Sequence, residues 1–225
     1  MRSLSQETLS ALEEIRQKIN KAKLRFGDEN KNVELVGVSK TIEASKIEDI
    51  IKAGLNVFGE NRVQEAFKKW PELKLKYPDI KLHLIGPLQT NKVREAVKLF
   101  DVIETLDREK LAKKLRTEMD LVKKELPIFV QVNIGDEPQK AGIAIKETVE
   151  FVKKCQDIYK LNIVGLMAIP PADIAPAPYF AQLATLAQEA GLKDLSMGMS
   201  KDYEIAIYMG ASYVRVGSAL FGQRK

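Results

Sequence analysis

Short apolar runs, many of them rich in β-branched residues, alternate along this chain with longer stretches whose apolar residues recur at helical spacing. The short runs predict buried parallel strands, and the longer stretches predict amphipathic helices. Eight strands that alternate with helices favour a closed barrel over an open sheet, so we predict an α/β fold, a single (β/α)8 TIM barrel. The eight predicted strands are residues 34–39, 56–58, 81–85, 102–105, 128–133, 163–167, 194–197 and 213–216.

An extra N-terminal helix is predicted before the first strand, over residues 6–25. Its apolar residues form one stripe, which we expect to pack against the barrel. Because nothing helical of comparable length follows the last predicted strand, this helix is expected to fill the position of the eighth barrel helix. The stripe consists of Leu9, Leu12, Ile15, Ile19 and Leu24, and further helices are predicted over residues 42–53, 106–124 and 177–190.

Composition narrows the class of protein. The 225 residues are 45% hydrophobic and 30% charged, and we expect one domain over residues 1–225, since the proline-rich stretch 169–178 is short enough for a rim loop. No apolar run approaches the ~20 residues of a membrane span, and the polar residues 1–26 lack a secretory signal, so a cytoplasmic location is expected. Most lysines are interleaved with glutamates, so the net charge of +5 does not indicate a nucleic-acid partner.

Two residue types that occur once each exclude several kinds of site. Cys155 is the one cysteine, which excludes an intramolecular disulfide and a cysteine-rich metal site, and its apolar neighbours at helical spacing favour a core position. Of the other sulfur-containing side chains, Met197 and Met199 are also expected to fill the core. His83 is the one histidine, which excludes any site that needs two imidazoles. We therefore predict no metal site.

Lys40 is the strongest candidate for chemistry. It ends the apolar run of residues 33–40, where partial desolvation disfavours the ammonium form and makes the neutral, nucleophilic amine accessible. Amines of this kind form Schiff bases with carbonyl compounds. The alternative is a lysine that extends from a strand end into water.

A candidate phosphate cradle lies near the other end of the chain. Ser200 follows the seventh predicted strand, and Gly217 and Ser218 follow the eighth, where (β/α)8 barrels often hold a phosphate group. Gly198, just before Ser200, is expected to let the backbone approach a ligand closely. The alternatives are a helix cap at Ser200 and an ordinary turn glycine at Gly217. A ligand with an aldehyde for Lys40 and a phosphate for the cradle would span the barrel mouth, and pyridoxal 5′-phosphate (PLP) fits that description.

Arg215 lies within an apolar strand, where an unpaired arginine is costly, so we expect it to have a partner. That partner is either a barrel carboxylate, in a structural salt bridge, or the pyridine nitrogen of PLP, which an arginine donor would keep unprotonated. Among the polar residues that follow the other strands, Asn61 is the strongest candidate for a further cofactor contact.

These residues together resemble the pyridoxal 5′-phosphate homeostasis protein family, and the matching motifs extend in order over nearly the whole chain. The resemblance implies a single barrel like the N-terminal domain of alanine racemase, with Lys40 bearing the aldimine. It also implies that Ser200, Gly217 and Ser218 hold the phosphate and that Arg215 faces the pyridine nitrogen. The motifs are residues 36–40, 58–61, 83–86, 88–92, 132–134 with Glu137, Lys140 and Gly142, 165–167, 196–200 with Asp202, and 215–217 with 221–222.

A carrier of PLP is favoured over an enzyme. Alanine racemase has a second domain that supplies a tyrosine as its second acid or base, and this chain ends at Lys225, just past the last predicted strand. Racemisation requires a base on each face of the carbanion and a ring that delocalises charge. We therefore expect a monomer without catalytic residues that binds, protects and delivers PLP, with PLP-dependent apoenzymes as recipients.

Other functions stay open. A single-domain PLP-dependent amino-acid racemase would need His83 or a rim tyrosine such as Tyr203 as its second base. A class I aldolase would use Lys40 to condense with a sugar phosphate, and a scaffold or RNA-binding barrel would have no use for its amine. Lys140, in the loop after the fifth strand, is a candidate for engaging a second PLP or for helping to release the bound one.

Overall fold

The computed structural model of the chain describes residues 6–25 and 32–222, and its parallel strands close into a barrel. The strands are β1 (Glu34–Val38), β2 (Val57–Glu60), β3 (Lys81–Leu84), β4 (Val102–Leu106), β5 (Ile128–Val132), β6 (Ile163–Ala168), β7 (Asp194–Met199) and β8 (Tyr213–Val216). Each strand pairs with the next along the chain, and β8 closes the barrel on β1, with Val36 opposite Arg215. The predicted (β/α)8 TIM barrel is confirmed.

Helices surround the barrel in alternation with the strands. They are α1 (Gln6–Arg25), α2 (Ala44–Lys52), α3 (Val63–Phe67), α4 (Trp70–Lys76), α5 (Val93–Leu99), α6 (Glu109–Val122), α7 (Thr148–Asp157), α8 (Ala177–Glu189), α9 (Tyr203–Tyr208) and α10 (Ser218–Phe221). Two short 3₁₀ segments, Thr90–Lys92 and Ile145–Glu147, precede α5 and α7. Helices α3 to α5 do not appear among the predicted helices, because five to seven residues are too few for a clear helical period.

The extra helix α1 occupies the position expected for an eighth barrel helix. It contacts α2 on one side and α9 and α10 on the other. Arg16 of α1 donates hydrogen bonds to the carbonyls of Ala53 and Gly54, just after α2, and Arg25 donates to the Tyr208 hydroxyl of α9. The predicted stripe is wrong in one residue: Leu24 is 56% exposed, whereas Leu12, Ile15 and Ile19 are buried.

The apolar core supports two of the expectations for sulfur-containing residues and contradicts a third. Cys155 is fully buried on α7, and burial raises the pKa of its thiol to about 12, so it is a core residue. Met197 is also fully buried, but Met199 is 39% exposed, so it does not fill the core as expected. In the described part of the chain, no helix combines the length and the apolar character that crossing a membrane requires.

Candidate functional site

Lys40 lies at the carboxyl-terminal end of the barrel, directly after β1. The N–H of Ser39 continues the strand ladder by donating to the carbonyl of Gly59 at 3.0 Å. The Ser39 hydroxyl is turned toward the surrounding helices, where it donates to Glu60 Oε1 at 2.7 Å. Lys40 follows in a turn at this end of the barrel, where it is half-buried.

A buried carboxylate supports this strand end from behind. The side chain of Glu60 is completely buried, and its Oε1 atom accepts hydrogen bonds from Ser39 and from Trp70 Nε1, the latter at 3.0 Å. The Nζ atom of Lys69 lies 2.8 Å from the same oxygen, in an ion pair. The other carboxylate oxygen, Glu60 Oε2, has no hydrogen-bond partner within residues 6–25 and 32–222. One carboxylate oxygen therefore links β1, β2 and α4.

The predicted phosphate cradle is assembled from the ends of β7 and β8. Ser200 Oγ accepts hydrogen bonds from the backbone N–H groups of Gly217 and Ala219, at 3.3 and 3.4 Å. Ser218 is exposed between them. A Cβ atom added to Gly217 would lie 3.3 Å from Val38 Cβ, so the cradle adjoins the end of the strand that leads to Lys40.

The contacts of Ser200 and Gly198 define the conformation of the chain between β7 and α9. Ser200 does not cap α9; Asp202 occupies the capping position, and its Oδ1 atom accepts a hydrogen bond from the N–H of Met199 at 2.6 Å. Gly198 has a φ of 89° and packs against α9, where an added Cβ would lie 2.5 Å from Ala206 Cβ. The expectation that Gly198 admits a ligand is therefore not needed, because helix packing and backbone conformation already require glycine.

Arg215 has protein partners in the interior of the barrel. Its Nη1 atom donates to Ser196 Oγ at 2.6 Å and its Nη2 atom donates to the carbonyl of Ala168 at 2.9 Å. The Ser196 hydroxyl in turn donates to Glu104 Oε2 at 2.5 Å, and Arg215 Nη1 lies 3.9 Å from the same oxygen. The barrel carboxylate that partners Arg215 is therefore Glu104, and Ser196 bridges the two side chains.

Glu104 is held by groups from both sides of the barrel. Its Oε1 atom lies 2.6 Å from His83 Nδ1 on the neighbouring strand. Burial alone raises the pKa of Glu104, but the hydrogen bond and charge of His83, the charge of Arg215 and the hydrogen bond of Ser196 outweigh it and lower the pKa. Burial lowers the pKa of Arg215, against the opposing charges of Glu104 and Asp202. The interior of the barrel thus holds a carboxylate and a guanidinium as a linked pair.

Two other predicted residues lie on loops after the strands. Asn61 is half-buried, and its backbone packs so closely on Gly86 that an added Cβ there would lie 2.3 Å from the Asn61 carbonyl oxygen. Lys140 donates to the carbonyl of Pro170 at 3.2 Å and forms an ion pair with Glu137 at 2.5 Å. These contacts tie the loop after β5 to the loop after β6, while the proposed action of Lys140 on PLP stays a prediction.

The two residues named as a possible second base are both buried. Tyr203 is buried on α9, and burial followed by the charge of Glu204 raises the pKa of its hydroxyl, with smaller influences from Lys18 and Glu14 of α1. The description of Tyr203 as a rim tyrosine is therefore wrong. His83 is 3% exposed and is bound to the buried Glu104.

A cleft of about 370 Å³ lies at the opposite end of the barrel, between α1 and the amino ends of β1 and β2. Its lining includes Arg16, Asn20, Glu34 and Asn56. None of the predicted PLP residues contributes to it, and active sites of (β/α)8 barrels occupy the other end.

Comparison with known proteins places the chain in a family. The model of the alanine racemase N-terminal domain matches residues 10–225. The pyridoxal phosphate homeostasis protein of Aquifex aeolicus is 37% identical over 223 residues, which cover 95% of this chain and 97% of the relative. The same protein of Escherichia coli K12 is 38% identical over 226 residues, which cover 95% of each. The chain belongs to the pyridoxal phosphate homeostasis protein family.

Solved structures of PipY and of a racemase share the barrel. PipY of Synechococcus elongatus without PLP superposes with a TM-score of 0.84 at 35% identity, over 95% of this chain and 99% of PipY. PipY with PLP bound gives a TM-score of 0.83 at 33% identity, over 96% and 100% of the two chains. Alanine racemase of Clostridium difficile gives 0.71 at 14% identity, over 95% of this chain and 57% of the racemase, which indicates a common fold only.

Sequence reasoning missed the two buried carboxylates and the lysine between the helices. Glu60 and Glu104 each stand in an apolar strand, and the argument that gave Arg215 a partner applies equally to them. Lys69 reads as one half of an exposed Lys68–Lys69 pair, because nothing local distinguishes a buried lysine from its neighbour. A charged residue in an apolar strand was thus a clue to the buried glutamates, whereas the sequence held no clue to the position of Lys69.

Proposed function

We propose that this protein binds PLP as a Schiff base on Lys40 and serves PLP homeostasis in the cell by carrying the cofactor and delivering it. The observation that carries the proposal is the meeting of the first and last strands, where the cradle residue Gly217 adjoins Val38, two residues before Lys40. In support, PipY has been solved with PLP bound. An amine and an anion-binding backbone at one barrel mouth match the aldehyde and the phosphate at the two ends of PLP.

In this proposal Ser200, Gly217 and Ser218 hold the phosphate. The N–H groups of Gly217 and Ala219 already converge on one oxygen, Ser200 Oγ, at distances longer than the usual 2.9–3.0 Å or so of an N–H···O bond. A phosphate oxygen is a stronger acceptor than a hydroxyl, because hydrogen bonds to ionised groups are shorter and stronger. The exposed Ser218 adds a hydroxyl and an N–H, so the donors present fit a phosphate group.

The remaining contacts are to the reactive end and the ring. Lys40 would hold the aldehyde carbon of PLP through its amine, with loss of water, and the bound cofactor would supply an electron-withdrawing ring. We assign Arg215 to the pyridine nitrogen and Asn61 to a further contact. Because Ser196 and Ala168 hold the guanidinium in place, Arg215 would present donors to the nitrogen, keep it unprotonated and weaken the ring as an electron sink.

A carrier fits this arrangement better than a catalyst. Racemisation needs a second base on the far face of the substrate, and the two residues considered for that role are buried: His83 against Glu104, and Tyr203 on α9 near α1. The family name, pyridoxal phosphate homeostasis protein, also describes maintenance of a cofactor and names no reaction. We therefore propose that the protein is not an enzyme.

The same proposal covers assembly and partners. We propose that residues 1–225 form one PLP-binding domain, that the protein is a monomer, and that PLP-dependent apoenzymes receive the cofactor. Residues 1–5, 26–31 and 223–225, including the terminal Lys225, lie outside the described residues. Light scattering tests the monomer, and activation of an added apoenzyme by the loaded protein tests delivery.

The first experiment compares visible spectra of the wild type, Lys40→Ala and the matched control Lys46→Ala, an exposed lysine on α2. With added PLP, the wild type and Lys46→Ala are expected to develop a Schiff-base absorbance that borohydride bleaches, and Lys40→Ala is not. A wild type whose spectrum with PLP is only the sum of the protein and free PLP would refute the binding proposal.

A second measurement separates a carrier from an enzyme. The loaded protein is incubated with L-alanine or L-serine, and the D-isomer is quantified beside a dedicated alanine racemase. We expect the D-isomer to stay at the level of free PLP in buffer. Turnover comparable to that of the racemase would overturn the carrier proposal.

A further inference from the structure

Lys69 is a buried lysine whose contacts surround the residue before and the residues after Lys40. Its side chain is 9% exposed. Its Nζ atom donates to the carbonyl of Ser39 at 2.7 Å and to the carbonyl of Ile42 at 3.2 Å. An ammonium group only donates hydrogen bonds, so Lys69 binds backbone carbonyls on both sides of Lys40 at the same time.

Two carboxylates complete this contact set, which we call the Lys69 clamp (Lys69 with Glu60 and Glu65). Glu60 Oε1 lies 2.8 Å and Glu65 Oε1 lies 3.1 Å from Lys69 Nζ. Glu60 also accepts from the Ser39 hydroxyl, so the clamp holds Ser39 through both its side chain and its carbonyl.

Glu65 extends the clamp to the other side of Lys40. Its Oε1 atom accepts a hydrogen bond from the backbone N–H of Thr41. Burial raises the pKa of Glu65, but the Thr41 hydrogen bond and Lys69 outweigh it and lower the pKa, so the carboxylate is ionised at neutral pH. The clamp thus holds Lys40 through the two residues next to it in the chain, Ser39 and Thr41.

The backbone at Thr41 explains why anchoring is needed. Thr41 has a φ of 64°, in the left-handed region that β-branched residues rarely adopt. Such a conformation is strained and persists only where the surroundings impose it. Glu65 binds the N–H of this strained residue, and Lys69 binds the carbonyl of the next, so the clamp supplies that constraint.

From this geometry we infer that Lys69 is a positioning residue for Lys40: the clamp holds the chain at residues 39–42 so that the Lys40 amine is presented in a fixed orientation to a carbonyl ligand. This inference rests on the proposed function for its ligand. Lys69 itself donates hydrogen bonds to three acceptors and forms an ion pair with Glu60, so it positions the reactive amine and does not compete with it.

The test compares Lys69→Met with Lys68→Met, which removes an exposed charge one residue away. The measured quantities are the rate of Schiff-base formation with PLP and the affinity for pyridoxine 5′-phosphate, which keeps the ring and phosphate but has no aldehyde. We expect Lys69→Met to slow Schiff-base formation about ten-fold or more while the affinity for pyridoxine 5′-phosphate changes less than about two-fold, because orientation of the amine is lost and the cradle is kept.

The opposite pattern would overturn the inference. If Lys69→Met lowers the rate and the affinity equally, Lys69 supports the whole barrel and not Lys40 in particular. If it lowers neither, the clamp has no role in presenting the amine. Lys68→Met is expected to match the wild type in both measurements.

A ligand-free measurement keeps the inference separate from the proposed function. Hydrogen–deuterium exchange of the peptide covering residues 39–43 is compared in wild type, Lys69→Met and Glu65→Gln, the last of which retains volume and removes one charge. We expect exchange in this peptide to rise about ten-fold in Lys69→Met and less in Glu65→Gln. Unchanged exchange in both variants would overturn the inference even if PLP binds, and raised exchange would support the clamp even if PLP does not bind.

Discussion

Two buried glutamates at the same end of the barrel are satisfied in different ways. Glu60 lies between the strands and the helices, where one oxygen receives Ser39, Trp70 and Lys69 and the other has no partner in the described part of the chain. Glu104 lies inside the barrel, and both of its oxygens are bonded, one to His83 and the other to a serine.

The difference separates support of the backbone from support of a single side chain. The cation of Glu60 comes from the helical layer and binds backbone carbonyls beside Lys40, so this carboxylate acts on main-chain position. The cation of Glu104 is Arg215, reached through Ser196, so this carboxylate acts on the orientation of one guanidinium. In both places a buried charge is tolerated because an opposite charge lies nearby.

The largest effect is expected when Lys69 is removed. Lys69→Met leaves Glu60 as a buried carboxylate without its cation, which should destabilise the protein by about 3–5 kcal/mol. Urea unfolding measures this loss, with Lys68→Met as the control. Restoring neutrality with Glu60→Gln in the Lys69→Met background is expected to recover much of the stability. No recovery would show that packing, and not charge, dominates at this site.

A smaller loss is expected at the interior carboxylate. Glu104→Gln keeps the volume and one acceptor oxygen but removes the charge that faces Arg215 and His83, at a cost of about 2 kcal/mol. We expect the Schiff-base absorbance of PLP to shift in this variant, since Arg215 would lose its orientation, whereas Lys69→Met changes the rate of its appearance. Equal spectra in wild type and Glu104→Gln would contradict the link to the ring nitrogen.

Two buried serines allow a matched comparison. Ser196→Ala removes the only hydrogen-bonded link between Arg215 and Glu104 that the described residues provide, whereas Ser39→Ala leaves Glu60 with Trp70 and Lys69. We expect Ser196→Ala to cost about 1.5–3 kcal/mol and Ser39→Ala to cost about 1 kcal/mol in urea unfolding. The reverse order would mean that the two carboxylates do not differ as the contacts indicate.

The weakest effect is the pH dependence contributed by Glu104. Its pKa is lowered in the folded protein, so its stabilisation is present above its ordinary value of 4.5 and is lost as the pH falls below that value. The difference in unfolding free energy between wild type and Glu104→Gln should therefore narrow below about pH 4.5. A constant difference down to about pH 3 would contradict a lowered pKa at this residue.

The fold was largely predictable because it depends on periodicity. Strand 213–216 has the predicted bounds and the other strands differ by a few residues at their ends, since short apolar runs and helical spacing are local properties. The positions of Lys40 and Ser200 after strand ends were predictable for the same reason, and their roles toward PLP stay predictions. The partners of Glu60 and Glu104 could not be predicted, because only tertiary packing brings Lys69 and Ser196 next to them. Leu24 and Met199 fit the patterns and are nevertheless exposed.

The central claim is that the amine presented by β1 and the Lys69 clamp is the one that carries PLP. The most direct measurement is peptide mapping by mass spectrometry after PLP is added at equimolar concentration and reduced with borohydride. One pyridoxyl phosphate group per chain is expected, on Lys40. A label found mainly on other lysines, with Lys40 unmodified, would contradict it.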